Sequence, residues 1–324
     1  MFFLGCKDIF LIFALCFTIF QEILFFFMSS NLSHRLKTWQ SKATIQLVKN
    51  GLNLGSYLSP TRAGKFAFHI FSTPRKGRLK EKDRTYLEKS EQTTLYLNEI
   101  SIACYDFGGD ASKTVLLMHG WESNSARWRT LANVLQTQGF RVVMFDAPAH
   151  GGSGNPYFNV LLYAQMMQTV VTHYAPTMLI GHSAGAMAIG YFLSHAPIFP
   201  IDGTLKKVVF MAAPYDLDSL FNTYQDIIGF NGRIRKQLDH EVYAVDGNET
   251  SYYCVENFVK QMPESFKTAT ACLFVHDEND PIAAIACSET CHSIWKNSDF
   301  LRTKGLGHSL QHKTVYEKIV QFLS

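Results

Sequence analysis

Gly181-His182-Ser183-Ala184-Gly185 places a serine between two glycines. It follows the apolar run Met178-Leu179-Ile180 and precedes a stretch of small residues that continues to His195. This is a G-x-S-x-G pattern where a strand would turn sharply into a helix. Such a turn strains the serine backbone and projects the hydroxyl above the sheet edge, and the flanking glycines let strand and helix approach without a Cβ clash. The helix N-terminus behind it favours developing negative charge. The chemistry this suits is nucleophilic attack on a carbonyl, which requires a base for the hydroxyl proton and a third group to orient that base.

Both partners have candidates downstream. One apolar run ends in His276-Asp277-Glu278-Asn279-Asp280-Pro281, another in Gly305-Leu306-Gly307-His308. Both belong on loops at the carboxyl ends of strands, the same edge as Ser183. His308 follows glycines that would let it reach the serine. Asp277 and Asp280 compete for the acid; Asp280 lies deeper in the loop and Pro281 stiffens it. The other histidines (34, 69, 150, 173, 195, 240, 292 and 312) receive no chemical role. Acyl transfer also needs donors for the developing oxyanion. The Ala184 N–H, one residue past the nucleophile, is one. His119-Gly120-Trp121, after the buried run Thr114–Met118, supplies the other, assigned to the Trp121 N–H. Trp121 and His182 are the candidate pocket residues, His182 as packing beside the serine.

These residues need a scaffold that gathers strand ends on one edge. Short apolar runs at 94–97, 102–105, 114–118, 141–145, 178–180, 208–211, 272–275 and 300–302 alternate with helical spacing from about residue 114 on. Short buried strands alternating with helices predict an α/β fold, a mostly parallel sheet covered on both faces. Residues 215–268 break the alternation with polar and aromatic helical sequence, which suits a small lid between two strands.

With these residues in place, the chain from about 93 to 324 resembles the α/β-hydrolase superfamily. The matching pieces are His119-Gly120-Trp121, the stretch Phe145 to Ser153, Gly181-His182-Ser183-Ala184-Gly185, Asp280 and His308. Within it the chain looks like serine esterase and lipase-like members with a small helical lid. The resemblance implies the order Ser183, Asp280, His308 for the triad, no cofactor, and a carboxylic ester or thioester as substrate. A serine at the elbow argues against dehalogenase and epoxide-hydrolase relatives, which use aspartate there. An acyltransferase, or a slow-turnover ligand sensor, would keep the same residues. An aminopeptidase would want a larger cap.

Composition narrows the rest. With 47% hydrophobic and 18% charged residues over 324, the chain is too apolar for disorder. Seven cysteines (6, 16, 104, 254, 272, 287 and 291) show no CxxC spacing, so free thiols are expected, with neither a disulfide framework nor a metal site. The net charge of +3 hides an asymmetry: residues 29–90 carry 13 Lys and Arg against 3 acids, while residues 91–324 carry 16 against 22. No nucleic-acid signature accompanies the basic stretch. It is expected to form one or two amphipathic helices lying on the body or on an anionic membrane surface. Residues 9–28 are almost uninterruptedly apolar, about the length of a membrane span. The cations after that run would leave the body on the cytoplasmic side. A translation start at Met28 would remove it. The expected organisation is a hydrophobic segment at 1–28, a basic helical extension at 29–92, and a hydrolase domain at 93–324.

Overall fold

The computed structural model describes the backbone of residues 34–195, 205–214 and 216–324, and side chains from residue 45 on. The apolar run at 9–28 lies outside the described residues. Among those described, no helix is long and apolar enough to cross a membrane.

The chain divides into two compact units, 1–51 and 52–324. In chain order the elements are α1 (His34–Leu58), α2 (Pro60–Ser72), α3 (Glu81–Leu87), β1 (Glu91–Leu97), β2 (Ile100–Asp106), β3 (Asp110–Met118), α4 (Arg129–Thr137), β4 (Phe140–Phe145), α5 (Val160–Tyr174), β5 (Met178–His182), α6 (Ala184–Ser194), β6 (Lys207–Met211), α7 (Leu217–Ile228), α8 (Gly232–Asp246), α9 (Val255–Gln261), α10 (Glu264–Ala269), β7 (Ala271–Asp277), α11 (Ala286–Ile294), β8 (Ser298–Thr303) and α12 (Lys313–Leu323).

The eight strands form one sheet in the order β1-β2-β4-β3-β5-β6-β7-β8. β1 pairs with β2 and β2 with β4 in antiparallel sense; every other pair is parallel. Burial explains the sequence pattern. Val115 to Met118, Val142 to Phe145, Val208 to Met211 and Cys272 to Val275 have almost no exposure, as strands covered on both faces require. The edge strand β1 instead alternates between exposed and half-buried positions. The strand runs read from the sequence all lie within these eight.

The domain boundary expected at 92/93 is not where the chain divides. Residues 52–92 belong to the same unit as the sheet, because their apolar side chains are buried there: Leu52, Ala63, Ala67 and Leu87 are each at most 4% exposed. Helix α2 lies along α8 of the insertion. Gly64 permits this contact, since a Cβ there would fall 2.1 Å from the Gln237 side chain. Asn53 and Asn231 bridge the same junction: Asn53 donates to Gly229 O at 3.1 Å, and its own oxygen accepts from the Asn231 amide at 2.8 Å.

The insertion also divides. α7 and α8 form the cap, closed by left-handed Gly229 and Gly247 at their C-termini. α9 packs instead on α6 and α11, with Val255 and Phe258 fully buried. The helices of the expected span 215–268 thus differ in what they pack against, a distinction that apolar spacing alone does not make.

Candidate active site

Ser183 sits between β5 and α6 with φ 53° and ψ −119°, a conformation that non-glycine residues seldom adopt. Its neighbours explain how the chain tolerates it. A Cβ at Gly185 would lie 2.4 Å from Met118 O, and one at Gly181 would lie 2.7 Å from the Ala186 nitrogen. Only glycine fits either position: Gly185 lets the turn close against the end of β3, and Gly181 lets α6 close against β5.

The structure brings the three candidate triad residues into line. His308 Nε2 is 3.0 Å from Ser183 Oγ, and His308 Nδ1 is 2.8 Å from Asp280 Oδ2. A carboxylate only accepts, so Nδ1 carries the proton and Nε2 is left to accept from the serine. Asp280 Oδ1 accepts the amides of Ile282 at 2.8 Å and Ala283 at 3.0 Å. Burial alone would raise the Asp280 carboxyl. Hydrogen bonds from His276, His308 and these two amides outweigh it and hold the group ionised, well below the usual carboxylate range.

Asp277, the competing acid, is occupied with its own loop. It accepts from the amides of Asn279 (2.9 Å), Leu306 (2.8 Å) and Gly305 (3.2 Å), and from Thr303 Oγ1 (2.8 Å). It therefore shapes the segment that carries His308, in which Gly305 and Gly307 take positive φ.

Two further residues hold that segment. His182 donates from Nε2 to the carbonyl oxygen of His308 at 2.7 Å, while its Nδ1 meets the Arg127 guanidinium. Arg127 also donates to Ser309 O at 3.1 Å. Burial first, and the adjacent Arg127 charge second, keep His182 neutral, far below the ordinary imidazole range. Both His182 nitrogens are thus engaged, so it offers a pocket no polar group and instead ties the elbow to the base loop.

Among the described residues, the Ala184 and Trp121 N–H groups, the two candidate oxyanion donors, donate to no protein acceptor. Gly120 brings the Trp121 amide beside the serine: a Cβ on Gly120 would lie 3.0 Å from Ser183 Cβ. Behind it stands a buried network that joins His119 and the 145–153 stretch to Tyr105 and Ser125, two residues given no role in the sequence analysis. Asp146 accepts from Ser125 N (2.8 Å) and Oγ (2.7 Å), Tyr105 OH (2.8 Å) and Gly152 N (2.9 Å). His119 accepts the Ala147 amide at Nε2 and donates from Nδ1 to Gly120 O. Gly151, at φ 53°, has no room for a Cβ beside the Asp146 carboxyl. The glycines at 151 and 152 and the His119-Gly120 pair were the available signal. The Trp121 ring is half-buried among Phe71, His150 and Phe158, at centroid distances of 6.5, 5.3 and 5.3 Å.

Among the described residues, no three His, Cys, Asp or Glu side chains gather in a way that would hold a metal ion.

A family model described as the alpha/beta hydrolase fold matches residues 113–240. That span holds the crossover from β3 through β4 and β5 to β6 and the serine turn. This is an α/β-hydrolase-fold protein. Solved structures of the fold superpose on most of the chain. An esterase from Pyrococcus furiosus matches at TM-score 0.56 and 17% identity, covering 78% of this chain and 98% of its own. The mouse alpha/beta hydrolase domain-containing protein 10 matches at TM-score 0.53 and 14% identity, covering 72% of this chain and 97% of its own. In sequence, a bifunctional esterase/perhydrolase from Acinetobacter calcoaceticus is 27% identical over 119 residues. That match covers 36% of this α/β-hydrolase-fold chain and 42% of the Acinetobacter protein.

Proposed function

We propose that the protein is a serine hydrolase cleaving carboxylic esters or thioesters with an apolar acyl group, through an acyl-enzyme on Ser183. The observation that carries this reading is the alignment of Ser183, His308 and Asp280 at 3.0 and 2.8 Å, with the serine held at positive φ. An esterase among the sequence relatives supports the same reaction class.

In the first step Ser183 Oγ attacks the substrate carbonyl carbon as its proton passes to His308 Nε2. The carbonyl oxygen takes up the negative charge and accepts from the Ala184 and Trp121 N–H groups. Asp280 stays a carboxylate, fixing the tautomer of His308 and stabilising its imidazolium. The imidazolium then protonates the leaving alkoxide or thiolate as its bond to carbon breaks. Water loses a proton to the same nitrogen, attacks the acyl-enzyme, and returns Ser183 with its hydroxyl. The aromatic side chains around Trp121 suit an apolar acyl chain.

Fluorophosphonate labelling of the full chain, run beside hydrolysis of p-nitrophenyl esters of rising chain length, tests the reading. Labelling should map to Ser183 and vanish in Ser183→Ala. Ester turnover should fall by about four orders of magnitude or more in His308→Ala, and less in Asp280→Asn. Folded protein that takes no label would overturn the assignment. Labelling without turnover of any ester or thioester would point to an acyl acceptor other than water, or to a ligand sensor.

A further inference from the structure

Helix α2 comes from the basic arm, outside the span that the family model matches, yet it supplies a ring beside the candidate site. Phe71, in the last turn of α2, lies nearly parallel to Trp121, with centroids 6.5 Å apart and planes 14° apart. On its other side it meets cap helix α7, edge-on to Phe221 at 4.8 Å and tilted to Tyr224 at 5.2 Å. Phe221 is fully buried, whereas Phe71, Trp121 and Tyr224 are half-buried. These rings therefore form a continuous apolar wall, part of which stays accessible, from the residue after Gly120 up into the cap.

Hydrogen bonds fix the ring in place. The Tyr224 hydroxyl donates to Ala67 O at 3.0 Å, holding α7 to α2 one helical turn before Phe71. Ser72, the residue after Phe71, accepts the Phe158 amide at its carbonyl oxygen at 2.8 Å, and the Phe158 ring packs on Trp121. The arm thus braces the aromatic wall from both the cap and the loop beside Trp121. An aromatic ring between a candidate oxyanion loop and a cap is placed to limit how far an acyl chain can extend.

We propose that Phe71 is a specificity-determining residue: it closes the far end of the acyl site, so that the N-terminal arm, rather than the sheet and its loops, sets acyl chain length. The inference rests on the ester-hydrolase reading above.

The test uses the full chain and its Phe71→Ala, Phe71→Leu and Phe71→Trp variants. Each is assayed with p-nitrophenyl butyrate, octanoate and laurate, and labelled in parallel with a small alkyl fluorophosphonate. Removing the ring should raise the octanoate-to-butyrate ratio of kcat/KM about tenfold, the scale of one or two methylenes in an apolar pocket. Phe71→Leu should shift it in the same direction by less, and Phe71→Trp should lower it. Each folded variant should still be labelled at Ser183, so that a changed chain-length ratio is read on an intact nucleophile. An unchanged chain-length profile in folded Phe71→Ala and Phe71→Trp overturns the proposal while leaving the hydrolase reading intact. Absence of labelling in the wild type overturns the hydrolase reading, and this inference with it. If Phe71→Ala unfolds, it loses label and all three activities together, and the opposed shifts of the Leu and Trp variants decide.

Discussion

The Nδ1–H of His119 donates to the carbonyl oxygen of Gly120 at 2.8 Å, while Nε2 of the same ring accepts the Ala147 amide at 2.9 Å. The first bond has a consequence one atom further along. Gly120 C=O and Trp121 N–H share one trans peptide, so they point in opposite directions. Drawing the carbonyl toward His119 turns the N–H away from it. His119 therefore orients the candidate oxyanion donor without touching substrate. In His119→Ala, kcat should fall by about tenfold or more with KM little changed, within the range seen when one oxyanion donor is disturbed. His119→Asn can place an amide nitrogen near the Nδ1 position and should recover part of the loss. Steady-state kinetics of the pair check this. Equal losses in both variants would reduce His119 to packing.

The same network makes stability sensitive to acid. Burial pushes His119 and His150 down to about 4 from the ordinary 6.5. Folded protein then keeps both rings neutral while the unfolded chain takes up protons. Stability from this source is complete above about pH 6.5 and declines as pH falls toward 4, by about 1.4 kcal/mol per pH unit for each ring. Denaturant unfolding at a series of pH values should show this slope. His150→Gln should be less stable at neutral pH but lose stability less steeply between pH 6.5 and 4. An identical slope in the variant would mean that other groups set the acid limit.

Strain at Ser183 should appear as a difference between two inactive variants. At φ 53° and ψ −119°, an alanine keeps the steric cost that a glycine lacks. Ser183→Gly should therefore be more stable than Ser183→Ala by about 1 kcal/mol, measured by chemical denaturation. The reverse order would show that the turn is relaxed for any side chain.

Much of the scaffold was legible in the sequence because it is written in contiguous residues. Thr114 to Met118 and Arg141 to Phe145 read as buried strands, and they pair as such. The serine turn was legible for the same reason: two glycines, a serine and the flanking apolar and small residues are neighbours in the chain. Where residues 52–92 pack, and which helices of the insertion cover the sheet, were not legible. Leu52, Ala63 and Ala67 show from sequence only that they belong to an apolar helix face, and nothing in a helix face names its partner. The same limit hid the role of Asp277, whose carboxylate is spent on the Thr303 hydroxyl and the Gly305 and Leu306 amides, 26 to 29 residues downstream.

Local pattern thus determined the element types, the parallel sheet and the kinds of side chain that gather at its carboxyl edge, since propensity and hydrophobic period act over neighbouring residues. Tertiary structure alone decided three other things. It set which groups occupy the Asp277 carboxylate, which nitrogen of His119, His182 and His308 carries the proton, and that Phe71 of the arm stands against Trp121. Each depends on groups far apart in sequence meeting within hydrogen-bond or ring-contact distance. Those interactions fall off over a few ångströms and leave no periodic trace in the chain.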